Sequence, residues 1–68
     1  MTVFHVEQMV SGDGVVRLRL KDGERGGVIA EAHHRVLAQA KARLKHLAVE
    51  AGEPEEAVHD AIYRGPAS

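Results

Sequence analysis

Histidine is the residue type with the most chemistry to offer in this chain of 68 residues, which contains five histidines. His33 and His34 are adjacent and therefore point to different sides of any regular element. No pair has the i, i+4 spacing that places two imidazoles on one helix face, and no cysteine is present to supply a thiolate. We therefore expect no metal site and no cofactor, and we interpret these histidines, with His5, His46 and His59, as solvated side chains.

Hydroxyl groups, the other candidates for nucleophilic chemistry, are few. They occur only at Thr2, Ser11, Tyr63 and Ser68. The carboxylates cluster in the last predicted helix, where acids solvate the surface and complement the helix dipole. Because a light core also leaves little volume for a pocket, the sequence predicts that the protein is not an enzyme.

Basic side chains are concentrated in the middle of the chain. Residues 17–45 contain eight Lys and Arg against three acids, whereas the remainder contains one against seven. Charge sorted in this way steers an encounter with a charged partner and fixes the orientation of that partner. The candidate binding residues are Arg17, Arg19, Arg35, Lys41, Arg43 and Lys45.

A structural role for these cations is also open. A hairpin that pairs residues 10 and 16 would place Glu7 opposite Arg19, and a third strand would bring Glu31 near Arg17, which gives ordinary cross-strand ion pairs. The basic stretch has no aromatic residue, so it lacks the stacking platform that single-strand nucleic-acid binders use.

One long amphipathic helix must position the candidate binding residues from Arg35 to Lys45. From His34 to Ala51 apolar residues recur at steps of three and four, which predicts a helix with one apolar stripe. The stripe consists of Val36, Leu37, Ala40, Leu44, Leu47 and Ala51. On the opposite side, Ala38, Ala42 and Val49 would let a second helix approach closely, and we predict a homodimer interface there. A core without disulfides and with only two aromatic residues favours such an assembly, since chains of this size usually need additional stabilisation.

The first half of the chain has the period of two that is typical of β-strands. Thr2–Val10 alternates, and Val15–Lys21 alternates strictly, with Val16, Leu18 and Leu20 on the inward side. Glycine and aspartate in the segment 11–14 predict a turn between these strands.

The segment Gly26–Ala32 has two interpretations. It is either a third strand with Val28, Ala30 and Ala32 inward, or the start of a long helix at Gly27. A globule of this length is about 28 Å across, whereas a helix over 27–51 would be ~37 Å long and one over 34–51 about 27 Å. The shorter helix fits the globule, so we prefer the third strand.

The end of the chain contains clear helix signals. Gly52 is placed to end the long helix and Pro54 to begin a short one over 54–63, while the breakers in 64–68 predict a flexible tail. The sequence thus predicts one α+β domain over 1–63: a small antiparallel β-meander of two or three strands, packed under one long amphipathic helix, plus a short C-terminal helix. Without an apolar window of about 18 residues or a signal-peptide pattern, we expect a cytoplasmic protein.

Two family patterns are similar to parts of this chain. The order strand, strand, strand, helix over Phe4–Ala51 resembles the last two-thirds of a double-stranded-RNA-binding domain, although His34-Arg35 stands where that domain has a lysine pair, and its first helix is absent. RLRL at 17–20 with the segment 44–62 resembles the strand and helices of ribbon-helix-helix repressors, in which strand and helix are nearly contiguous; here more than ten residues intervene. Both resemblances imply nucleic-acid binding.

The function expected from the sequence is that of a small non-enzymatic interaction protein. It would bind a macromolecular protein partner as an adaptor or inhibitor of the kind that phages and mobile elements encode. The alternative is a dimeric DNA- or RNA-binding protein that uses the basic strand and helix, and a steep salt dependence of binding would distinguish the two.

Overall fold

An antiparallel meander occupies the first half of the chain, and the helices follow it. The computed structural model describes residues 3–65. The strands are β1 (Phe4–Val10), β2 (Val16–Asp22) and β3 (Val28–His34), in the spatial order β1-β2-β3. The helices are α1 (Leu37–Glu50) and α2 (Glu55–His59), and α2 continues into a π-helical turn, Asp60–Arg64. The predicted α+β fold is confirmed with three strands, and the alternative in which a helix begins at Gly27 is wrong.

The helices pack against one face of the sheet, and the core lies between them. From the central strand β2, Val16, Leu18 and Leu20 are buried, as the alternation predicts. The other buried residues come from β3, α1, α2 and the π-helical turn: Ala32, Ala40, Leu44, Ala48, Val58 and Ile62. β2 is the central strand and its apolar side faces the helices, so Val16, Leu18 and Leu20 are all buried, which explains why it has the clearest alternation in the sequence.

β3 departs from its predicted orientation at one end. Ala32 is buried and Ala30 half-buried, as predicted, but Val28 is 52% exposed. Ala30 lies opposite Leu20, whereas Val28 lies opposite Lys21, so the register shifts by one residue at this point. Because such a bulge reverses the side to which the neighbouring residues point, the prediction that Val28 faces inward is wrong.

α1 begins three residues later than predicted, at Leu37 instead of His34. β3 continues to His34, where the imidazole Nδ1 accepts a hydrogen bond from the backbone N–H of Val36 at 3.0 Å. This short link turns the chain from the sheet into the helix and leaves no room for a longer helical start.

The buried face of α1 also differs from the predicted stripe. Ala40, Leu44 and Ala48 are buried, at steps of four. The predicted stripe shares Ala40 and Leu44 with this face. Its other four members are exposed, and there the prediction is wrong: Val36, Leu37, Leu47 and Ala51. Alanine on each side of Leu44 lets the helix backbone approach the sheet closely, and this approach decides which side of the helix faces inward.

Gly52 ends α1 as the sequence predicts, whereas Pro54 is extended and precedes α2, which begins at Glu55. Gly52 ends α1 at a φ of +96°, its N–H donates to Val49 O at 3.0 Å, and the Glu53 N–H donates to Ala48 O at 3.1 Å, which is a Schellman motif. Arg64, the first residue of the predicted tail, lies in the π-helical turn, and residues 66–68 of that tail lie outside the described residues. Over residues 3–65, the helices are all too short or too polar to cross a membrane.

Candidate interaction surfaces

The sheet has an open face, on the side away from the helices. Alternation along three paired strands places the polar residues there, and the register lines them up in rows across the sheet. One row is Glu7, Arg19 and Glu31, and the next is Met9, Arg17 and His33. We define the open face by these six residues together with His5 and Lys21.

Ion pairs connect most charges of the open face. Arg19 Nε lies 2.7 Å from Glu31 Oε2, His33 Nε2 lies 3.1 Å from Glu31 Oε1, and Lys21 Nζ lies 2.6 Å from Glu7 Oε1. The Arg19 hydrogen bond, followed by the His33 contact, lowers the pKa of the Glu31 carboxyl below its ordinary value, and the hydrogen bond from Lys21 does the same to the pKa of Glu7. Both carboxylates are thereby stabilised in their charged form.

The sequence predicts these pairs only in part. Glu7 lies opposite Arg19, as expected from a hairpin that pairs residues 10 and 16, and this register is confirmed, but its carboxylate contacts Lys21. The prediction that Glu31 lies near Arg17 is wrong, because the turn between β2 and β3 places Glu31 opposite Arg19. Arg17 itself makes no ion pair with any residue in 3–65, and it lies between His33 and a Met9 side chain that is 59% exposed.

The basic residues of α1 lie on two different flanks of the helix. Lys45 Nζ is 3.6 Å from Glu55 Oε1 and 3.3 Å from His59 Nδ1, and Lys41 Nζ is 5.8 Å from the centre of the Tyr63 ring. Both lysines therefore face the C-terminal helical segment. Arg43, two residues beyond Lys41, is rotated about 200° around the helix axis from it.

The six predicted binding residues consequently occupy several surfaces. Arg17 and Arg19 lie on the open face, on the opposite side of the sheet from α1. Arg35 is exposed in the link between β3 and α1. With Arg43 on one flank of α1 and both lysines on the other, the structure brings together only the pair on β2 and the pair of lysines.

Two of the three predicted dimer residues, Ala42 and Val49, line a shallow groove between α1 and α2. This helix groove has a volume of about 230 Å³. It is lined by Ala42, Lys45, His46, Val49 and Glu55. Ala38, the third predicted residue, is exposed one turn before Ala42.

A second groove, of about 210 Å³, lies where β1 meets the π-helical turn, and the sequence does not predict it. This edge groove is lined by Phe4, His5, Val6, Gln8, Leu18, Lys41, Ala61, Ile62 and Gly65. The alternation of Phe4 and Val6 predicts an inward-facing strand surface, but no local pattern indicates that the helical segment covers this surface incompletely.

The histidines make local contacts. His46 Nε2 lies 3.2 Å from Glu50 Oε1, and the ring of His59 lies 4.7 Å from that of Tyr63. Within residues 3–65, no group of three or more His, Cys, Asp or Glu side chains is arranged to hold a metal ion.

Comparisons with protein-family models, with curated proteins and with solved structures find no match for this chain. The resemblances to double-stranded-RNA-binding domains and to ribbon-helix-helix repressors therefore remain interpretations of the sequence pattern.

Proposed function

We propose that this chain is a small non-enzymatic interaction protein that binds a macromolecular protein partner, as an adaptor or inhibitor. The observation that supports this proposal is the combination of an unpaired strand edge with exposed apolar side chains. Within residues 3–65, β1 pairs only with β2, and Val3, Met9 and Val10 at its two ends are all exposed. An unpaired edge offers backbone hydrogen-bonding groups to another chain, and exposed apolar groups gain from contact with a partner.

The distribution of the cations favours a protein partner over nucleic acid. A nucleic-acid backbone needs several free cations on one continuous surface. Here Arg19 and Lys45 are held by carboxylates, Lys41 lies against an aromatic ring, and Arg17 and Arg43 lie on different surfaces.

A mobility-shift titration with duplex DNA and with RNA at two salt concentrations tests the choice between the two classes. We expect no retention at physiological salt. Tight binding whose log K falls by about 0.9 per neutralised phosphate on B-DNA, and which is lost in Arg17→Ala with Arg19→Ala, would replace protein binding by nucleic-acid binding.

Affinity capture from a lysate of the source cells tests protein binding itself. The immobilised protein should retain one defined partner, and Met9→Glu should lose it, because a charge would then be desolvated at the edge of β1. Val28→Glu is the matched control: it makes the same kind of change on the other edge strand, at a residue that is 52% exposed against 59% for Met9. A partner that is lost equally from both variants, or no partner at all, would count against the proposal.

We further propose that the protein acts in the cytoplasm as a homodimer, with Ala38, Ala42 and Val49 in the interface. The helix groove supports this, because Ala42 and Val49 line it, and small residues there let a second helix approach closely.

Sedimentation equilibrium at micromolar concentration tests the assembly. We expect a dimer for the wild type and a monomer for Ala42→Glu, since the substitution would bury a charge in the interface. Gln8→Glu adds the same charge on β1 and should leave the dimer intact. A wild type that remains a folded monomer at every concentration would overturn the homodimer.

A further inference from the structure

We propose that the edge groove is the surface that takes the protein partner, and that it binds an extended, acidic segment of that partner as a fourth strand beside β1. In this arrangement an aliphatic side chain of the segment enters the groove and a neighbouring carboxylate contacts Lys41. This inference rests on the proposed function and specifies its surface and the chemistry of the partner.

The backbone of β1 is available for this pairing. All seven residues of Phe4–Val10 pair with β2 on one side, and no strand among residues 3–65 pairs on the other. Every second N–H and C=O of an edge strand points away from its sheet, so an added strand gains a ladder of main-chain hydrogen bonds. A segment aligned with β1 would place alternate side chains on the helix side of the sheet, where the groove lies.

The groove fits one aliphatic side chain. Its apolar lining residues come from β1, β2 and the π-helical turn: Phe4, Val6, Leu18, Ala61 and Ile62. The volume of about 210 Å³ is below the roughly 300–1,000 Å³ of pockets for drug-sized ligands, so a side chain fits the groove better than a cofactor. Phe4, Val6 and Ala61 are only half-buried, and they would lose water when the groove is filled.

The charge at the groove favours an acidic segment. Lys41 lines it and is half-buried, and its Nζ makes no ion pair with a carboxylate in residues 3–65. Lys45, one turn later, already has Glu55. A partner carboxylate would therefore give Lys41 the ion pair that it lacks within the described chain, and would add a charge-assisted hydrogen bond at the rim of an apolar site.

Selection of a phage-displayed library of random octapeptides on the intact protein tests the site. We expect enriched peptides with an aliphatic residue next to an acid, and when bound they should shift the amide resonances of Phe4–Val10 and of Ala61 and Ile62. Lys41→Gln should weaken binding of these peptides about tenfold, because a hydrogen bond to a charged group is lost. Arg43→Gln, which removes the same charge on the opposite flank of α1, should leave their affinity unchanged. Ala61→Leu, which fills the groove, should abolish binding, and Ala51→Leu, the same change at an exposed alanine at the end of α1, should not.

The inference is overturned if no sequence is enriched, or if the enriched peptides shift resonances of β3 or of the helix groove instead. Far-ultraviolet circular dichroism of each variant checks that the fold is intact. The lysate partner separates the two proposals: if it is retained by both Lys41→Gln and Ala61→Leu, protein binding stands and the edge groove is the wrong surface. If the wild type captures no partner, the proposed function fails instead.

Discussion

Replacing Leu44 by alanine should remove most of the stability of this domain. Leu44 is 0% exposed and lies between α1 and the sheet. Loss of three carbon atoms forfeits about 2.4 kcal/mol of transfer free energy at roughly 0.8 kcal/mol per carbon, and the cavity left behind raises the total to about 3–4 kcal/mol. A core in a chain of this size supplies only about 3–5 kcal/mol, so Leu44→Ala should be close to its unfolding midpoint in the absence of denaturant.

Leu47→Ala is the matched control, because it is the same change in the same helix. Leu47 is 36% exposed, so the removed atoms are partly solvated and water fills the space that they leave. We expect a loss of about 1–1.5 kcal/mol. Urea unfolding followed by circular dichroism gives both values, and Leu44→Val, a smaller truncation, extends the series if Leu44→Ala does not fold. Equal losses at Leu44 and Leu47 would show that α1 faces the sheet with the stripe predicted from the sequence, and the packing argument would fail.

Two further predictions concern an ion pair and a helix end. Arginine and histidine contacts hold the folded-state pKa of Glu31 below its ordinary value of 4.5, so their stabilisation is present above that value and is lost as the pH falls through the folded-state pKa. Glu31→Gln should therefore make the urea midpoint fall less steeply as the pH is lowered. Glu24 makes no ion pair in residues 3–65, so Glu24→Gln should leave this fall as steep as in the wild type. Gly52→Ala should lower the free energy of unfolding by about 1–2 kcal/mol, because a side chain is strained at φ +96°. Gly12 has a negative φ and no atom near an added Cβ, so Gly12→Ala should change the free energy of unfolding by less than about 0.5 kcal/mol. Similar thermal melts for the two variants would contradict this interpretation of the helix end.

The strands could be predicted because their signal is local. Leu18 and Leu20 alternate with arginines on a strand that has neighbours on both sides, and a period of two then fixes which residues are buried. The facing of Val28 could not be predicted, because it depends on a bulge at Lys21, and a bulge is set by how two strands fit each other.

Which face of α1 is buried could not be predicted from the sequence, for a related reason. Consecutive residues lie about 100° apart around a helix, so burying Ala48 in place of Leu47 turns the buried face of α1 about its axis. The larger residue is the natural choice for the core, yet the alanine is buried and the leucine is half-exposed. The space between helix and sheet decides this, and it follows from the volumes of residues distant in the chain, such as Leu18 and Leu20.

The candidate sites show the same division between local and distant information. The basic residues could be listed from the sequence, and β2 indeed carries Arg17 and Arg19 on one face. Whether they form one surface with Lys41 depends on which face of the sheet α1 covers. No local sequence pattern predicts the edge groove, because it forms where the π-helical turn of residues 60–64 meets β1.

Partner binding and folding should be coupled in this protein, and the experiments must separate them. Among residues 3–65 four large side chains are fully buried, so the free energy of unfolding is small. A partner at 100 times its Kd would add about 2.7 kcal/mol to it. A core variant such as Leu44→Ala would therefore lose its partner simply by unfolding, and it would regain the partner at high ligand concentration. A variant at the half-buried Lys41 would lose affinity while its own unfolding midpoint stayed constant. Measuring the unfolding midpoint and the affinity of each variant together thus distinguishes a contact with the partner from a contribution to the fold.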